Sequence, residues 1–342
     1  MADLFDTLTE TDWLTDPLKS LVTWESAKAR RKGKEMPKNT LVQYQSMLRK
    51  ALTWMREERP ALTLKTVSAE DLDRYLATIM SKPKGEGAQS FSRADDATVD
   101  RHLKRLQAVF SAFCEAGGRQ DNPATQLISR RPYKKDLYSR SEPKILTRDQ
   151  WDDYISWTRG QPLDHWVDVR DLALRITFMA TGVTVYEIRT IRLQDVDVAE
   201  GTINIPGHGN VATRKVPISA WGLEDISRWY AERISLKPTG QTNAFFLGRP
   251  RGRPSDKVSG APMSESSIYE IVAAPFAQFQ TNGDVFDERT GPQTLRNSYI
   301  ARQLHLGIDP IKLRDNLGLH TLFSLDQIRK ILELHSWKGA NL

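Results

Sequence analysis

The sequence has little cysteine and no long apolar run. Cys114 is its single cysteine, which excludes an internal disulfide bond and a cysteine-rich zinc site. No apolar segment approaches the roughly 20 residues that cross a bilayer, so we expect no membrane partner. The first residues, MADLFDTLTETDW, are acidic and lack the layout of a signal peptide. We therefore expect a protein of the reducing cytoplasm, with no metal site and no cofactor.

Positive charge is unevenly distributed along the 342 residues. Residues 1–145 hold 26 Lys and Arg against 20 Asp and Glu, whereas residues 146–342 hold 23 of each, so the first part carries the whole excess of +6. Much of this excess falls in residues 28–38 and 130–140. Clustered cations in linker-like sequence favour a polyanionic partner, because each phosphate that they neutralise releases counterions. A solvated, solubilising surface is the alternative.

The first part of the chain predicts helices. The stretch NTLVQYQSMLRKALTWMREE carries apolar residues at helical spacing, with Asn39 or Thr40 as its N-cap. In ATVDRHLKRLQAVFSAFC the apolar residues form one stripe, while Arg101, Lys104 and Arg105 lie away from it. Such a basic face suits a DNA groove or a phosphate backbone. An ordinary solvated face is the alternative.

A change in composition predicts where the domains meet. Residues 131–145, basic and with two prolines, read as an interdomain linker. They separate an N-terminal extension (1–35, acidic then basic) and a helical domain (36–130) from a second domain (146–342). In the second domain, GTINIPG and TRKVPIS alternate on either side of a Gly/Asn turn, which predicts an antiparallel strand pair. The predicted fold class is mainly α with a small antiparallel β-sheet.

Taken in order, these elements resemble the tyrosine recombinase (phage integrase) family over residues of about 38 to 330. NTLVQYQSML, TVDRHLKRLQAVFSAF and DNPATQL are similar to its helical, SAM-like core-binding domain. RDLALRITFMATGV, PQTLRNSYIARQL and LRDNLGLH are similar to its α/β catalytic domain. The resemblance implies a two-domain clamp around duplex DNA. It also implies a tyrosine that attacks a phosphodiester, assisted by two arginines and nearby His and Lys groups.

At most of the catalytic positions that the resemblance implies, this sequence has another residue type. These positions fall on Thr184 (first arginine), His208 (lysine), Gln293 and Asn297 (histidines), Arg296 (second arginine), Leu319 or His320 (histidine) and Ile328 or Arg329 (tyrosine). No tyrosine follows Tyr299. Since one well-placed donor to the transition state is worth roughly 3–4 kcal/mol, the loss of the first arginine alone would cripple cleavage. We expect no catalytic residue and an inactive enzyme homologue.

The sequence thus favours a non-catalytic protein that clamps duplex DNA at a specific site. It would serve as an accessory recombination factor, a regulator or a replicon-maintenance factor of a mobile element. The candidate DNA contacts are Lys38, Thr40, Arg101, Lys104, Arg105, Arg130, Arg131, Lys134, Lys135, His208, Arg214, Lys215 and Arg296. For Arg296 a buried structural ion pair is the alternative.

Two other functions stay open from the sequence. One is an active recombinase whose nucleophile is displaced, to Tyr269 or Tyr299, or supplied in trans by a partner. The other is a helical protein-interaction module.

The end of the chain carries a short apolar stripe. Its members are Ile328, Ile331, Leu332, Leu334 and Trp337. Because the family often docks its last helix on a neighbouring protomer, we predict assembly on DNA through this tail, with a second copy or with an active recombinase. Packing of the stripe within its own chain is the alternative.

Overall fold

The chain forms two compact units, Met1–Arg140 and Ser141–Leu342. The computed structural model describes residues 8–80, 82–83, 91–92, 96–130, 143–209, 211–238, 242–248, 258, 260–279 and 290–334. The division between the units falls inside the linker that the composition predicts at 131–145. Within the described ranges, no helix combines the length and the apolarity that a membrane crossing requires.

The first unit is a bundle of helices with one short antiparallel ladder. Its elements are α1 (Glu10–Thr15), α2 (Pro17–Arg30), α3 (Lys38–Glu58), α4 (Ala69–Met80), β1 (Lys82–Pro83), β2 (Phe91–Ser92), α5 (Asp96–Glu115) and α6 (Pro123–Arg130). The α5 stripe predicted from the sequence lies in the core, where Leu103, Leu106 and Phe110 are buried. Burial of such apolar side chains is the main favourable term in the stability of the bundle.

Helix α3 begins earlier than the capping residues suggest. Its N-cap is Pro37, whose carbonyl accepts hydrogen bonds from the backbone N–H groups of Thr40 (3.0 Å) and Leu41 (3.1 Å). Asn39 and Thr40, the predicted caps, are therefore inside the first turn, and that prediction is wrong by two to three residues. A proline serves at this boundary because its fixed φ suits a helix start and it has no N–H to satisfy.

The segment interpreted as an N-terminal extension belongs to the core of the first unit from residue 10 onwards. Trp13 and Leu21 are completely buried in the same cluster as the apolar residues of α3 to α6. Glu25 on α2 is also buried, and its carboxylate accepts a hydrogen bond from Arg105 on α5. The described part of this segment therefore packs in the bundle and does not extend from it, and Glu10 and Asp12 of its acidic start lie in the first turn of α1.

The second unit is mainly helical around one small antiparallel sheet. Its elements are α7 (Arg148–Arg159), α8 (Trp166–Thr181), α9 (Val185–Thr190), a 3₁₀ turn (Leu193–Asp195), β3 (Val196–Asp197), β4 (Thr202–Ile205), β5 (Arg214–Pro217), α10 (Ala220–Ser235), α11 (Glu265–Phe279), α12 (Pro292–His305), α13 (Pro310–Leu317) and α14 (Phe323–Leu334). Helix α8 packs against α10 and α12 and is buried around most of its circumference, as its continuous apolar sequence predicts.

The predicted strand pair is the β4–β5 hairpin, and the predicted fold class is confirmed. Ile203 pairs with Val216 and both side chains are buried, so the alternation seen in the sequence places these residues on the core face. The turn closes through reciprocal backbone hydrogen bonds between His208 and Val211, at 2.9 and 3.0 Å. Gly209 has a φ of +58°, which a glycine adopts without strain. A third strand, β3, has two residues and is too short to show alternation in the sequence.

The apolar stripe of the last helix packs within its own chain as far as residue 332. Ile328 and Ile331 are buried, and α14 lies against α12. Leu332 is half-buried against the same core. The side chain of Leu334 and the whole of Trp337 lie outside the described part of the chain. The structure therefore has the arrangement given as the alternative, and Ile328 and Ile331 offer no surface to a neighbouring protomer.

Candidate functional site

Thr184, at the position implied for the first catalytic arginine, is a helix cap. Helix α8 ends at Gly182, and α9 begins directly after Thr184. The Thr184 hydroxyl accepts a hydrogen bond from the backbone N–H of Glu187 at 3.3 Å, and the Glu187 carboxylate accepts one from the backbone N–H of Thr184 at 2.7 Å. This reciprocal pair satisfies two backbone donors at the helix start. The position therefore stabilises α9 and carries no positive charge.

Glu187 lies at the centre of a buried ion-pair cluster. Its Oε1 accepts a hydrogen bond from Nη2 of Arg214 at 2.5 Å, and its Oε2 lies 3.9 Å from Nη1 of Arg296. The Arg214 Nε also donates to the carbonyl of Asn316 at 2.8 Å. One carboxylate thus connects α9, β5 and α12, and two guanidinium groups share its single negative charge.

Arg296, the catalytic position that matches the family, is enclosed by protein. It is 6% exposed. Its Nη1 donates to the carbonyl of Gly182, and its Nη2 donates to the carbonyl of Leu317 at 2.9 Å. Burial lowers the pKa of Arg296 to about 10, and Glu187 opposes this shift. Both η nitrogens therefore donate hydrogen bonds inside the protein, and Glu187 lies close to Nη1. This is the buried structural ion pair given as the alternative to a phosphate contact.

The two positions implied for histidines in PQTLRN form a chain of amide hydrogen bonds. Gln293 Nε2 donates to Asn297 Oδ1 at 2.8 Å, and Asn297 Nδ2 donates to the carbonyl of Lys144 at 3.1 Å. A carboxamide does not exchange a proton near neutral pH, so neither residue supplies the acid–base function of an imidazole. His320, the other implied histidine, is exposed, and Leu319 is partly buried.

No described residue at or near the nucleophile position offers a tyrosine hydroxyl. Ile328 is a core residue, and Arg329 is exposed and paired with Asp326 at 3.1 Å. Tyr299 is buried against Gly182, and this burial raises its pKa to about 12. Tyr269 is half-exposed on α11.

The tip of the β4–β5 hairpin carries an aromatic stack that the sequence analysis did not recognise. The rings of Tyr186 and His208 lie 4.0 Å apart with an interplanar angle of 29°. Both residues are exposed, Tyr186 to 42%. In the sequence, an aromatic residue precedes Glu187 in the first turn of a short helix. Because Ile188 occupies the core-facing position of that helix, this pattern could have indicated an exposed ring at Tyr186.

The basic residues of α5 do not share one surface. Arg101 and Lys104 are exposed, whereas the Arg105 side chain is 15% exposed. The Arg105 guanidinium lies 3.1 Å from the centroid of the Tyr44 ring and pairs with Glu25. Arg105 therefore ties α5 to α2 and α3, and its guanidinium is not presented to a ligand as the sequence pattern predicted.

The remaining candidate DNA contacts are at the surface or outside the described residues. Lys38 is exposed at the start of α3 and Thr40 is half-exposed. Arg130 is exposed and pairs with Glu70, and Lys215 is exposed with its Nζ 4.0 Å from a carboxylate oxygen of Glu200. Arg131, Lys134 and Lys135 lie outside the described residues. In the part of the chain that the structure describes, no cluster of His, Cys, Asp and Glu is arranged to hold a metal ion.

The fold is that of site-specific DNA recombinases. The structure is similar to that of the XerH site-specific recombinase bound to its palindromic difH substrate, with a TM-score of 0.64 and 17% sequence identity over 93% of this chain and 84% of that one. At this level of identity the similarity concerns the architecture alone.

The sequence itself defines the family. Residues 145–324, slightly more than half of the chain, match the phage integrase family, so the chain belongs to that family. It is 26% identical to the tyrosine recombinase XerC of Actinobacillus pleuropneumoniae over 86% of this chain and 84% of that protein. It is 27% identical to the tyrosine recombinase XerD of Haemophilus ducreyi over 85% of this chain and 86% of that protein.

Proposed function

We propose that this phage integrase family protein binds duplex DNA at a specific site and does not cleave it. The observation that carries the proposal is the state of its two arginine positions. Thr184, at the first, caps a helix, and Arg296, at the second, uses both η nitrogens on main-chain carbonyls. A phosphodiester placed at this site would find neither of the two charges that stabilise a phosphorane-like transition state.

The lack of a tyrosine at the implied nucleophile position supports the same proposal independently. Covalent catalysis needs an activated hydroxyl within reach of the phosphorus atom. The sequence has no tyrosine after Tyr299, and the two residues at the expected position are Ile328 and Arg329. Buried Tyr299 is a poor substitute, because its raised pKa keeps the phenol protonated and its ring packs against Gly182.

Retained DNA binding is supported by family membership and by charge. XerH, which shares the fold, is known in a complex with its difH substrate. In the present chain the excess of positive charge lies in the first 145 residues, and Arg101 and Lys104 are exposed on α5. Lysine and arginine side chains on phosphates supply most of the sequence-independent part of binding.

Three biological uses fit this binding: an accessory factor in recombination, a transcriptional regulator, or a factor that maintains a replicon of a mobile element. They share one binding chemistry and differ in the sequence that is bound. A genomic footprint of the protein separates them. An inverted repeat beside a recombinase gene indicates an accessory role, and a footprint over a promoter indicates a regulator.

The test of the proposal combines binding with a search for covalent adducts. The full chain is titrated onto the footprinted duplex at several salt concentrations and is then incubated with nicked suicide versions of that duplex. We expect salt-sensitive binding and no protein–DNA band on a denaturing gel. An adduct that is lost in Tyr299→Phe or Tyr269→Phe would instead establish a displaced nucleophile. Absence of binding at low salt would favour a protein-interaction module.

A further inference from the structure

We propose that Tyr186 and His208 form a stacking site for a DNA base that is unpaired or unstacked from its neighbours. This inference rests on the proposed function, because it names the part of the DNA that the site contacts. The two stacked rings together form the Tyr186–His208 platform. It contains no arginine or lysine, so it differs from the arginine and lysine contacts predicted from the sequence, although His208 is itself one of the predicted DNA contacts.

The platform is held by two elements that are themselves fixed. Tyr186 lies in α9, whose first turn is closed by the Thr184 and Glu187 capping pair, and Glu187 is anchored in turn by Arg214. His208 lies at the hairpin tip, where its backbone N–H and carbonyl both bond to Val211. Rings mounted in this way lose little conformational freedom when a ligand binds, which favours affinity.

The exposed chemistry of the platform fits a nucleobase. The stack covers part of each ring, and Tyr186 remains 42% exposed, so its outer surface is open to a ligand. Neither the phenol oxygen nor an imidazole nitrogen has a hydrogen-bond partner among the described residues. The platform therefore offers a flat π surface together with polar groups at its edge, and every base has a matching π face and polar edge.

The position of the platform selects DNA as the occupant. Tyr186 directly precedes Glu187 and lies two residues after Thr184, the position at which the family would hold the reacting phosphate. Because Tyr186 lies in the helix that Thr184 caps, a strand bound at the Thr184 position would lie beside the platform. In a continuous duplex the base faces are covered by stacking, so contact requires a bulge, a gap or a junction. Stacking of one base on an aromatic side chain contributes about 1–3 kcal/mol.

The experiment compares three DNAs with the full chain and with variants. The DNAs are a continuous 40-base-pair duplex, the same duplex with one unpaired thymine, and the same bulge with an abasic residue. We expect wild-type protein to bind the thymine bulge about tenfold more tightly than the continuous duplex. The abasic bulge should show no such gain. Tyr186→Ala should lose the preference without a change in the salt dependence, and Tyr186→Phe should keep it.

Tyr269→Ala is the matched control, since Tyr269 is another exposed tyrosine of the second unit, at 52%. It should retain the full preference, and circular dichroism of each variant checks that it is folded. Equal affinity of wild-type protein for the continuous and bulged duplexes would overturn the inference while leaving the proposed function intact. So would a preference that survives in Tyr186→Ala. Failure to bind any of the three DNAs at low salt would overturn both.

Discussion

At the scale of single residues, Glu187 holds Arg214 and Arg296 in place. Its carboxylate faces Arg214 at 2.5 Å and Arg296 at 3.9 Å, and all three side chains are largely buried. Removing one member of a buried ion pair is costly, because the remaining charge loses its partner without regaining water. The Glu187 carboxylate therefore stabilises the packing of α9 against β5 and α12.

Replacing Glu187 tests that role directly. Glu187→Gln keeps the shape of the side chain but leaves two buried guanidinium groups without a counter-charge, so we expect a loss of about 3–5 kcal/mol of stability around α9 and α12. Glu265→Gln is the control, because Glu265 pairs at 2.7 Å with half-exposed Arg189 and should cost about 0–1 kcal/mol. Hydrogen exchange of peptides from both helices measures the difference. Similar costs for the two variants would contradict the cluster.

Tyr299 makes the stability of the second unit sensitive to alkaline pH. Burial raises its pKa to about 12, above the value of about 10 for an exposed phenol. The folded state therefore keeps the proton longer than the unfolded state, and its contribution is fully present below pH 10 and is lost as the pH rises towards 12. In urea unfolding experiments, we expect the free energy of unfolding of wild type to fall relative to that of Tyr299→Phe over this window.

A second group titrates in the same window with the opposite sign, which is why the measurement compares variants. Burial lowers the pKa of Arg296 to about 10, so its folded form releases a proton before its unfolded form does. Both proteins contain Arg296, so the comparison removes its own contribution and leaves that of the tyrosine together with its electrostatic coupling to Arg296. A constant difference between wild type and Tyr299→Phe in the free energy of unfolding would show that the phenol is not buried in solution.

The sequence identifies the residue type at each implied catalytic position, but it does not show what surrounds each side chain in the fold. The absence of a tyrosine after Tyr299 and the threonine at position 184 are visible without coordinates. That Arg105 pairs with Glu25 and that Tyr186 stacks on His208 are not, because each contact depends on packing between separate elements. The Thr184 cap is different, because its contact with Glu187 is local and the T-x-x-E spacing could have indicated it. Periodicity assigns a side chain to a face of a helix, but it does not show what lies opposite that face.

At the scale of elements, α1 and α2 are part of the first unit although they precede the region of family resemblance. The interpretation of the segment rested on its charge, whereas its apolar residues, among them fully buried Trp13 and Leu21, pack in the core of the first unit. A buried tryptophan contributes strongly, since aromatic side chains bury large apolar areas. The long helices were predicted correctly because a pattern over several turns specifies a buried stripe. The two-residue strand β3 and the exact start of α3 were not predicted, because two or three residues carry no period.

Trp13 and its neighbour Leu14 provide the test at this scale. Trp13 is completely buried, whereas Leu14 is 42% exposed. Trp13→Ala should destabilise the first unit by about 3–5 kcal/mol through the cavity that it leaves. Leu14→Ala on the next position of the same helix should cost less than about 1 kcal/mol. Limited proteolysis and urea unfolding of the full chain report the difference, and equal sensitivity of the two variants would mean that α1 does not dock on the bundle.

At the scale of the whole molecule, DNA binding depends on which positively charged side chains are exposed. The first 145 residues carry the positive excess, but the structure shows that a cation in the sequence is not always a cation at the surface. Arg105 is held by Glu25 and Tyr44, and Arg130 faces Glu70. Arg101 and Lys104 lie exposed on α5 and are the stronger candidates for phosphate contacts. The sequence placed Arg101, Lys104 and Arg105 on one basic face. In the structure Arg101 and Lys104 are exposed, whereas Arg105 pairs with Glu25, so their substitutions should be tested separately.

The separation is made by measuring affinity as a function of salt. Each phosphate contact contributes about 0.9 to the slope of log K against log salt on duplex DNA. Arg101→Ala with Lys104→Ala should therefore lower the slope by about 2 while leaving the thermal stability unchanged. Arg105→Ala should have the reverse pattern, because it leaves buried Glu25 without a partner and destabilises the bundle, but removes no phosphate contact. If Arg105→Ala lowers the salt slope while the double variant does not, the DNA lies on the opposite face of α5 from the one inferred here.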